Sequence, residues 1–219
     1  MNILSIDTST HKTSIALAID KKVYEHHTND NIKASQTILA SIENIMQENN
    51  FKASNLTGIL FNKGPASFTG TRVAASVTQA IGYSFNIPVI GISSLALMAF
   101  KFYKNNNITN IGCVKKAYGE KLYIGHYDID LHKYEPQDKI KLCTINEIKL
   151  HKNYRYVSDD WSNISIDSDN LLLDEIKIDN ISSTDAVTML DFFKENLEFG
   201  ESFDLKETFP DYANHTIEF

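Results

Sequence analysis

Apolar residues near the start of the chain come in short runs separated by polar breaks. Ile3, Leu4 and Ile6 lead to Asp7, and Ser14–Ile19 is a second run that meets Val23-Tyr24 across Asp20-Lys21. Short apolar runs joined by a tight polar pair predict a meander of antiparallel strands. From Ala34 to Asn50 the period lengthens. Ile38, Ile42, Ile45 and Met46 recur at helical spacing, with Leu39 widening the stripe, which predicts an amphipathic helix with apolar surface to spare. Gly58–Phe61 is a short buried strand, followed by a loop at 62–70. A helix is expected from Thr71 to Phe85, halted by Asn86-Ile87-Pro88, then a strand over Pro88–Ile92 and a helix over Ser93–Phe102. Strands and helices that alternate in this way indicate an α/β fold.

Beyond the polar stretch Lys104–Asn107 the pattern weakens. That stretch is the expected boundary between a first lobe, 1–104, and a smaller, divergent second lobe, 105–219. In the second lobe Ile111–Val114 and Lys121–Tyr127 have strand character. Thr184–Asn196 has helical period with Val187, Leu190 and Phe193 on one side, and 154–180 is polar and acidic without an assignable element.

The net charge of −7 argues against a surface that grips nucleic-acid phosphates unaided, because such surfaces are usually basic. Cys113 and Cys143 stand apart among apolar neighbours, so they are expected to be buried thiols in a reducing cytosol. No apolar run is long enough to span a bilayer. Met1–Asp7 lacks the basic start and cleavage site of a signal peptide, so it is expected to be the first strand of a cytoplasmic protein.

No Gly-Lys-Ser/Thr follows a glycine-rich run, and Ser67 is not in a Gly-x-Ser-x-Gly elbow. The segment Gly64-Pro65-Ala66-Ser67-Phe68-Thr69-Gly70 does precede a helix, whose free N–H groups favour anions. The same residues also make a rigid turn, and both readings stay open. None of the seven histidines is four residues from another, so the His-x-x-x-His arrangement that holds a metal on one helical face is absent. One rival exists. If 126–132 were a strand, His126, Asp128, Asp130 and His132 would share a face able to hold a divalent ion. The alternatives are a solvated edge with Tyr127, Ile129 and Leu131 turned inward, or a turn started by Asp128 or Asp130. In the helix from Thr71, the small residues Ala74, Ala75, Ser76, Ala80 and Gly82 would let another helix approach closely, or simply fit the helix tightly to its own sheet.

Three segments together resemble one family. Ile3-Leu4-Ser5-Ile6-Asp7-Thr8-Ser9-Thr10 looks like the opening strand and loop of the TsaB (YeaZ) family. Gly64-Pro65-Ala66-Ser67-Phe68-Thr69-Gly70-Thr71-Arg72-Val73 is similar to its GPGSFTGLRIG signature, and Ala80-Ile81-Gly82-Tyr83 followed by Ile87–Leu95 continues in register. The resemblance covers roughly the first 100 residues as judged by these motifs. Ala66 and Thr71 depart from the signature. The family's DARMGEVY-like strand survives only as Lys115–Glu120. Phe209-Pro210-Asp211-Tyr212 resembles its closing Pro-x-Tyr element without the arginine that follows.

The resemblance implies an ASKHA (actin-like, ribonuclease H-like) fold of two lobes, each a mixed sheet flanked by helices, with the second lobe reduced. It implies a non-catalytic subunit that pairs with a TsaD-like catalytic protein and a TsaE-like ATPase in threonylcarbamoyl modification of the adenosine beside the tRNA anticodon. The chain would form a homodimer when alone and reach tRNA only through its partners. It also implies a two-helix interface, with Ile38, Leu39, Ile42, Ile45, Val73, Ser76, Val77 and Ala80 divided between core and contact. No intrinsic cofactor or metal is expected. A nucleotide shared at the interface would touch Asp7, Thr8, Ser9, Gly64, Ser67, Phe68, Thr69, Gly70 and Arg72. Thr8 stands where actin-like ATPases use glycine, which favours a structural Asp7 that caps its own turn. The rivals are an active ATPase or kinase of this fold, a metal-dependent hydrolase, and a plain homodimer with another partner.

Overall fold

In the computed structural model, which describes residues 1–10, 12–28, 32–148, 150–164 and 177–211, the N-terminal meander is β1 (Asn2–Asp7), β2 (Ser14–Ile19) and β3 (Lys22–His27). Antiparallel register sets Leu4 opposite Leu17 and Ile6 opposite Ile15. The turn into β3 rests on Asp20 at φ 54°, a left-handed conformation that Asp tolerates better than most residues. Helix α1 (Ala34–Glu48) follows, then β4 (Gly58–Gly64), α2 (Phe68–Phe85) and β5 (Val89–Ser93). Strand β4 lies parallel to β1, and β5 parallel to β4, giving the order β3-β2-β1-β4-β5.

Alternation along the strands separates two faces. Leu4, Ile6, Ile15, Leu17, Ile59 and Phe61 pack with Ile38, Ile42, Ile45 and Met46 of α1 and Ala74 and Ala75 of α2. Full burial of each such isoleucine contributes about 1.5–3 kcal/mol. Ser5 points the other way, and its hydroxyl donates to Ala186 O at 2.8 Å. That contact brings α5 (Ala186–Asn196) onto the opposite face, where it touches β1, β2 and β4. Asp185 starts α5 by accepting from Thr188 N at 2.7 Å, as an N-cap does.

The second unit is built on Leu95–Ser183. It comprises α3 (Ser94–Asn106, entering at Leu95), β6 (Asn110–Lys116), β7 (Lys121–Asp128), the short α4 (Ile129–His132), β8 (Lys141–Thr144), β9 (Arg155–Ser158) and β10 (Lys177–Asn180). Its sheet runs β8-β7-β6-β9-β10. The pairs β6/β7 and β7/β8 are antiparallel, and β6/β9 and β9/β10 parallel. Order and strand sense repeat those of the first sheet, so the two sheets are built on one plan, that of an actin-like lobe. Among the described residues, the reduction lies in the crossovers. Where the first sheet uses α1 and α2, the described residues of the second supply only 3-10 turns, at Ile145–Glu147 and Trp161–Asn163.

The first unit comprises Met1–Ser94 with Thr184–Asp211. This differs from a boundary at 104/105. Lys104–Asn107 is not a linker but the polar end of α3 and the residue after it. The helix that follows β5 belongs to the second unit, and the helix that follows β10 returns to the first.

Candidate functional site

Asp7 ends β1 and is buried. Its Oδ1 accepts from Ser9 N at 2.8 Å, closing the turn, and its Oδ2 accepts from Asn62 Nδ2 at 3.1 Å. Asn62, on β4, is held in that orientation from the other side. Its Oδ1 accepts from Gly64 N at 3.0 Å and from Ser94 Oγ at 2.6 Å. A carboxylate removed from water requires such partners. Here they come from the chain itself.

Strand β4 extends to Gly64 and α2 begins at Phe68, so the expected loop at 62–70 is shorter and the helix starts earlier than Thr71. The reason is local. Ser67 is the N-cap, its Oγ accepting from Gly70 N at 3.4 Å, and Thr71 Oγ1 donates to Ser67 O at 2.8 Å. Gly64 takes φ +95°, a conformation that favours glycine. Gly70 is needed for a different reason. A β-carbon there would lie 2.1 Å from Thr8 O, and Thr8 Oγ1 donates to Gly70 O at 2.7 Å. The β1–β2 turn is thereby latched onto the first turn of α2.

Beside this latch is a cavity of about 290 Å³ lined by Thr8, Thr10, Ile32, Lys33, Ala34, Ser35, Ser67, Thr69, Gly70 and Val73. The first turns of α1 and α2 both border it, and neither contains an acidic residue. Helix N-termini, hydroxyls and a lysine make a lining whose chemistry suits an anion. Of the residues read from sequence as nucleotide contacts, the fold brings Thr8, Ser67, Thr69 and Gly70 to this cavity. Asp7, Ser9 and Gly64 lie behind it in the buried network. Phe68 and Arg72 pair with each other on the exposed side of α2, the guanidinium 3.5 Å from the ring centroid, a cation–π stack. Lys33 and Ser35 were not read from sequence as site residues. The only available signal was a helix start carrying a lysine and no carboxylate.

The expected interface residues separate by burial. Ile38, Ile42 and Ile45 are core, and Val73 and Val77 are partly buried against the same core. Ser76 and Ala80 are exposed, as are Leu39 at 66% and Tyr83 at 77%. The helices α1 and α2 touch each other.

The rival face at 126–132 is overturned. Strand β7 stops at Asp128, whose Oδ1 accepts from Leu131 N at 3.2 Å and starts α4. Asp130 and His132 therefore do not continue a strand, and Leu131 is not turned inward but is 73% exposed. Among the described residues no three His, Cys, Asp or Glu side chains gather as a metal set. His126 instead meets Tyr156 Oη at 3.0 Å and stacks edge-on with His151 and Tyr154. Burial, reinforced by His151, lowers its pKa to about 4. Cys113 is buried and Cys143 partly so, and burial raises both thiols above their ordinary range. No helix among the described residues is long and apolar enough to cross a membrane. His11, His215 and Tyr212 lie outside the described residues.

Comparison with known proteins places these features. The family model described as "TsaD: tRNA N6-adenosine threonylcarbamoyltransferase" matches residues 10–137, more than half of the chain. The tRNA threonylcarbamoyladenosine biosynthesis protein TsaB of Buchnera aphidicola subsp. Acyrthosiphon pisum is 35% identical over 172 residues, covering 72% of this chain and 74% of that one. The protein of the same name from Buchnera aphidicola subsp. Schizaphis graminum is 29% identical over 200 residues, 89% of this chain and 94% of that one. The solved structure of YeaZ from Pseudomonas aeruginosa has the same fold, with TM-score 0.74 at 21% identity, covering 96% of this chain and 99% of that one. With the latched Gly64–Gly70 segment and the doubled actin-like sheet, these matches establish that the chain belongs to the TsaB (YeaZ) family.

Proposed function

We propose that this chain is a non-catalytic subunit in the biosynthesis of threonylcarbamoyladenosine on tRNA, and that it works by pairing with and activating a TsaD-like catalytic subunit alongside a TsaE-like ATPase. The observation that carries the reading is the outer row of α2. Ser76 and Ala80 are small and exposed along one row of α2, Tyr83 is exposed in the same row, and Leu39 is exposed on α1. Small side chains let a partner helix approach to the 8–10 Å typical of close packing, and bulky apolar side chains left exposed gain by being covered. The same face would pair two copies of the chain when the partner is absent. The net charge of −7 favours contact with tRNA through the partner.

The buried network supports a non-catalytic role. Both Asp7 oxygens accept hydrogen bonds from within the chain, and the β1–β2 turn is closed against Gly70. A reactive carboxylate in an actin-like enzyme has to face a phosphate or metal-bound water. The cavity bordered by α1 and α2 fits the phosphate of a nucleotide shared with the partner, with Lys33, Thr8, Ser67 and Thr69 as the side chains that would hold it. No cofactor is intrinsic to the chain in this reading.

The test is pairing with the TsaD-like subunit from the same source, measured by titration. Ser76→Arg combined with Ala80→Glu puts two charged side chains on that row. It is expected to abolish pairing while the monomer keeps its circular dichroism. Native affinity from a folded double variant would remove this face from the interface. ATP turnover by the purified chain alone would instead favour an active ATPase or kinase.

A further inference from the structure

Among the described residues after α5, 197–211, the one regular element is a 3-10 turn, Leu205–Thr208, yet this segment is fastened both to the C-terminal part of α2 and to β4. Phe199 packs on Gly58, where a β-carbon would lie 2.1 Å from its ring. Phe203 meets Tyr83 edge-on at 6.0 Å and covers Gly82, whose β-carbon would come within 2.8 Å of it. Gln79 Nε2 donates to Thr208 O at 3.3 Å and to Thr208 Oγ1 at 3.0 Å, and Thr208 Oγ1 donates onward to Leu205 O at 2.6 Å. Asp211 N donates to Lys63 O at 2.7 Å, and its carbonyl would stand 3.1 Å from a β-carbon on Gly64. The segment thus runs from the C-terminal part of α2, at Tyr83, Gly82 and Gln79, to the end of β4 at Lys63 and Gly64.

Helical geometry gives this path a consequence. At about 100° per residue, Val73, Val77 and Ile81 form one flank of α2, and these pack into the core shared with α1. Gln79 and Gly82 lie on the other side, where the segment runs. The exposed row Ser76, Ala80 and Tyr83 lies between, so α1 and the core fix one side of that row and the 199–211 segment fixes the other.

We propose that this segment is a strap that sets the position of α2, and that Thr208 is its positioning residue for pairing with the TsaD-like subunit. The proposal rests on the reading above that α2 carries the pairing face. Thr208 is fully buried and cannot itself touch a partner, so an effect of its hydroxyl on pairing has to pass through α2. The hydroxyl does two things. It accepts from Gln79, and it closes the 3-10 turn by donating to Leu205.

The experiment compares the full chain with Thr208→Val, which keeps the shape and removes the hydroxyl, and Thr208→Ser, which keeps the hydroxyl. Pairing with the purified TsaD-like subunit is titrated at a temperature well below unfolding, and amide hydrogen exchange is followed along α2. Thr208→Val is expected to weaken pairing about tenfold or more and to speed exchange from Ser76 onward, with Thr208→Ser close to the unaltered chain. If Thr208→Val does not fold, Phe203→Leu is put through the same two readouts with the same expectation. Unaltered affinity in a folded Thr208→Val, when Ser76→Arg with Ala80→Glu abolishes pairing, overturns the strap and leaves the docking face standing. If the double variant pairs normally, the docking face is wrong and the strap proposal falls with it.

Discussion

Gly70→Ala puts two physical effects in opposition. Gly70 lies in the first turn of α2 without a left-handed backbone angle. On helix propensity alone, alanine there is worth about 1 kcal/mol in stability. The structure demands the reverse. The added β-carbon would lie 2.1 Å from Thr8 O and 3.2 Å from Thr8 C, and both neighbours are backbone rather than the end of a flexible side chain. The β1–β2 turn must move away. Overpacking of this kind costs about 1–3 kcal/mol, and loss of the 2.7 Å bond from Thr8 Oγ1 to Gly70 O adds about 1 kcal/mol. After the propensity gain is subtracted, a net loss of about 1–3 kcal/mol remains, or a fall in Tm of roughly 2–12 °C for a chain of this size. Urea unfolding with an unchanged m-value is the assay. Gly200→Ala serves as the control, since nothing lies within 4 Å of its β-carbon position, and it is expected to stay within about 0.5 kcal/mol of the unaltered chain. A Gly70→Ala chain as stable as the original would refute the latch.

Three further outcomes follow from buried groups and from the site. Lys115 Nζ and Asp159 Oδ2 pair at 2.7 Å with side chains 8% and 10% exposed. Lys115→Met should cost about 3–5 kcal/mol by stranding a buried carboxylate, while adding Asp159→Leu should recover most of it; a single variant as mild as a surface change would contradict this. His126, with a folded pKa near 4 against an ordinary 6.5, is held neutral by the fold and faces His151, Tyr154, Tyr156, Asp138 and Lys141. The unfolded chain binds the extra proton between these values, so stability is full above about pH 6.5 and falls as pH drops towards 4. The loss is of order 2 kcal/mol once solvent screening is allowed for. His126→Gln should remove this part of the pH dependence, and identical profiles for the two chains would disprove it. Lys33→Ala should weaken binding of a nucleotide to the paired complex several-fold without changing the stability of the chain alone, and unaltered binding in equilibrium dialysis would remove Lys33 from the site.

The first unit was legible because its elements are long and their periods distinct. The Asp20 turn, the stripe of α1 and the strand–helix alternation through β5 all follow from the order of apolar residues. The start of α2 was misplaced because Ser67 acts as N-cap from within a segment whose glycines and proline suggest a loop. The second unit was harder to read for a physical reason. Strands β8, β9 and β10 have only four residues each, too few for a period of two to stand out. The alternation Tyr127, Ile129, Leu131 imitates a strand, and of the readings open there the turn started by Asp128 is the one the fold adopts. Contacts made far along the chain left no local trace. Gly82 does fit α2 tightly to its own sheet, since a β-carbon there would lie 2.6 Å from Val89 of β5, but the approach of Phe203 at 2.8 Å has no local trace. Asn62, which fixes Asp7, falls in the expected loop at 62–70, where nothing local marks it.

In the proposed role the chain is required by a catalytic partner without being catalytic itself. This role is tested most directly by a drop-out reconstitution with purified TsaD-like and TsaE-like proteins from the same source, an enzyme that makes the threonylcarbamoyl adenylate donor, substrate tRNA, ATP, threonine and bicarbonate, with this chain present or omitted. Modified adenosine is expected only when the chain is present, with no ATP turnover by the chain on its own. Equal modification without it, or ATP turnover by the chain alone, would overturn the proposed role.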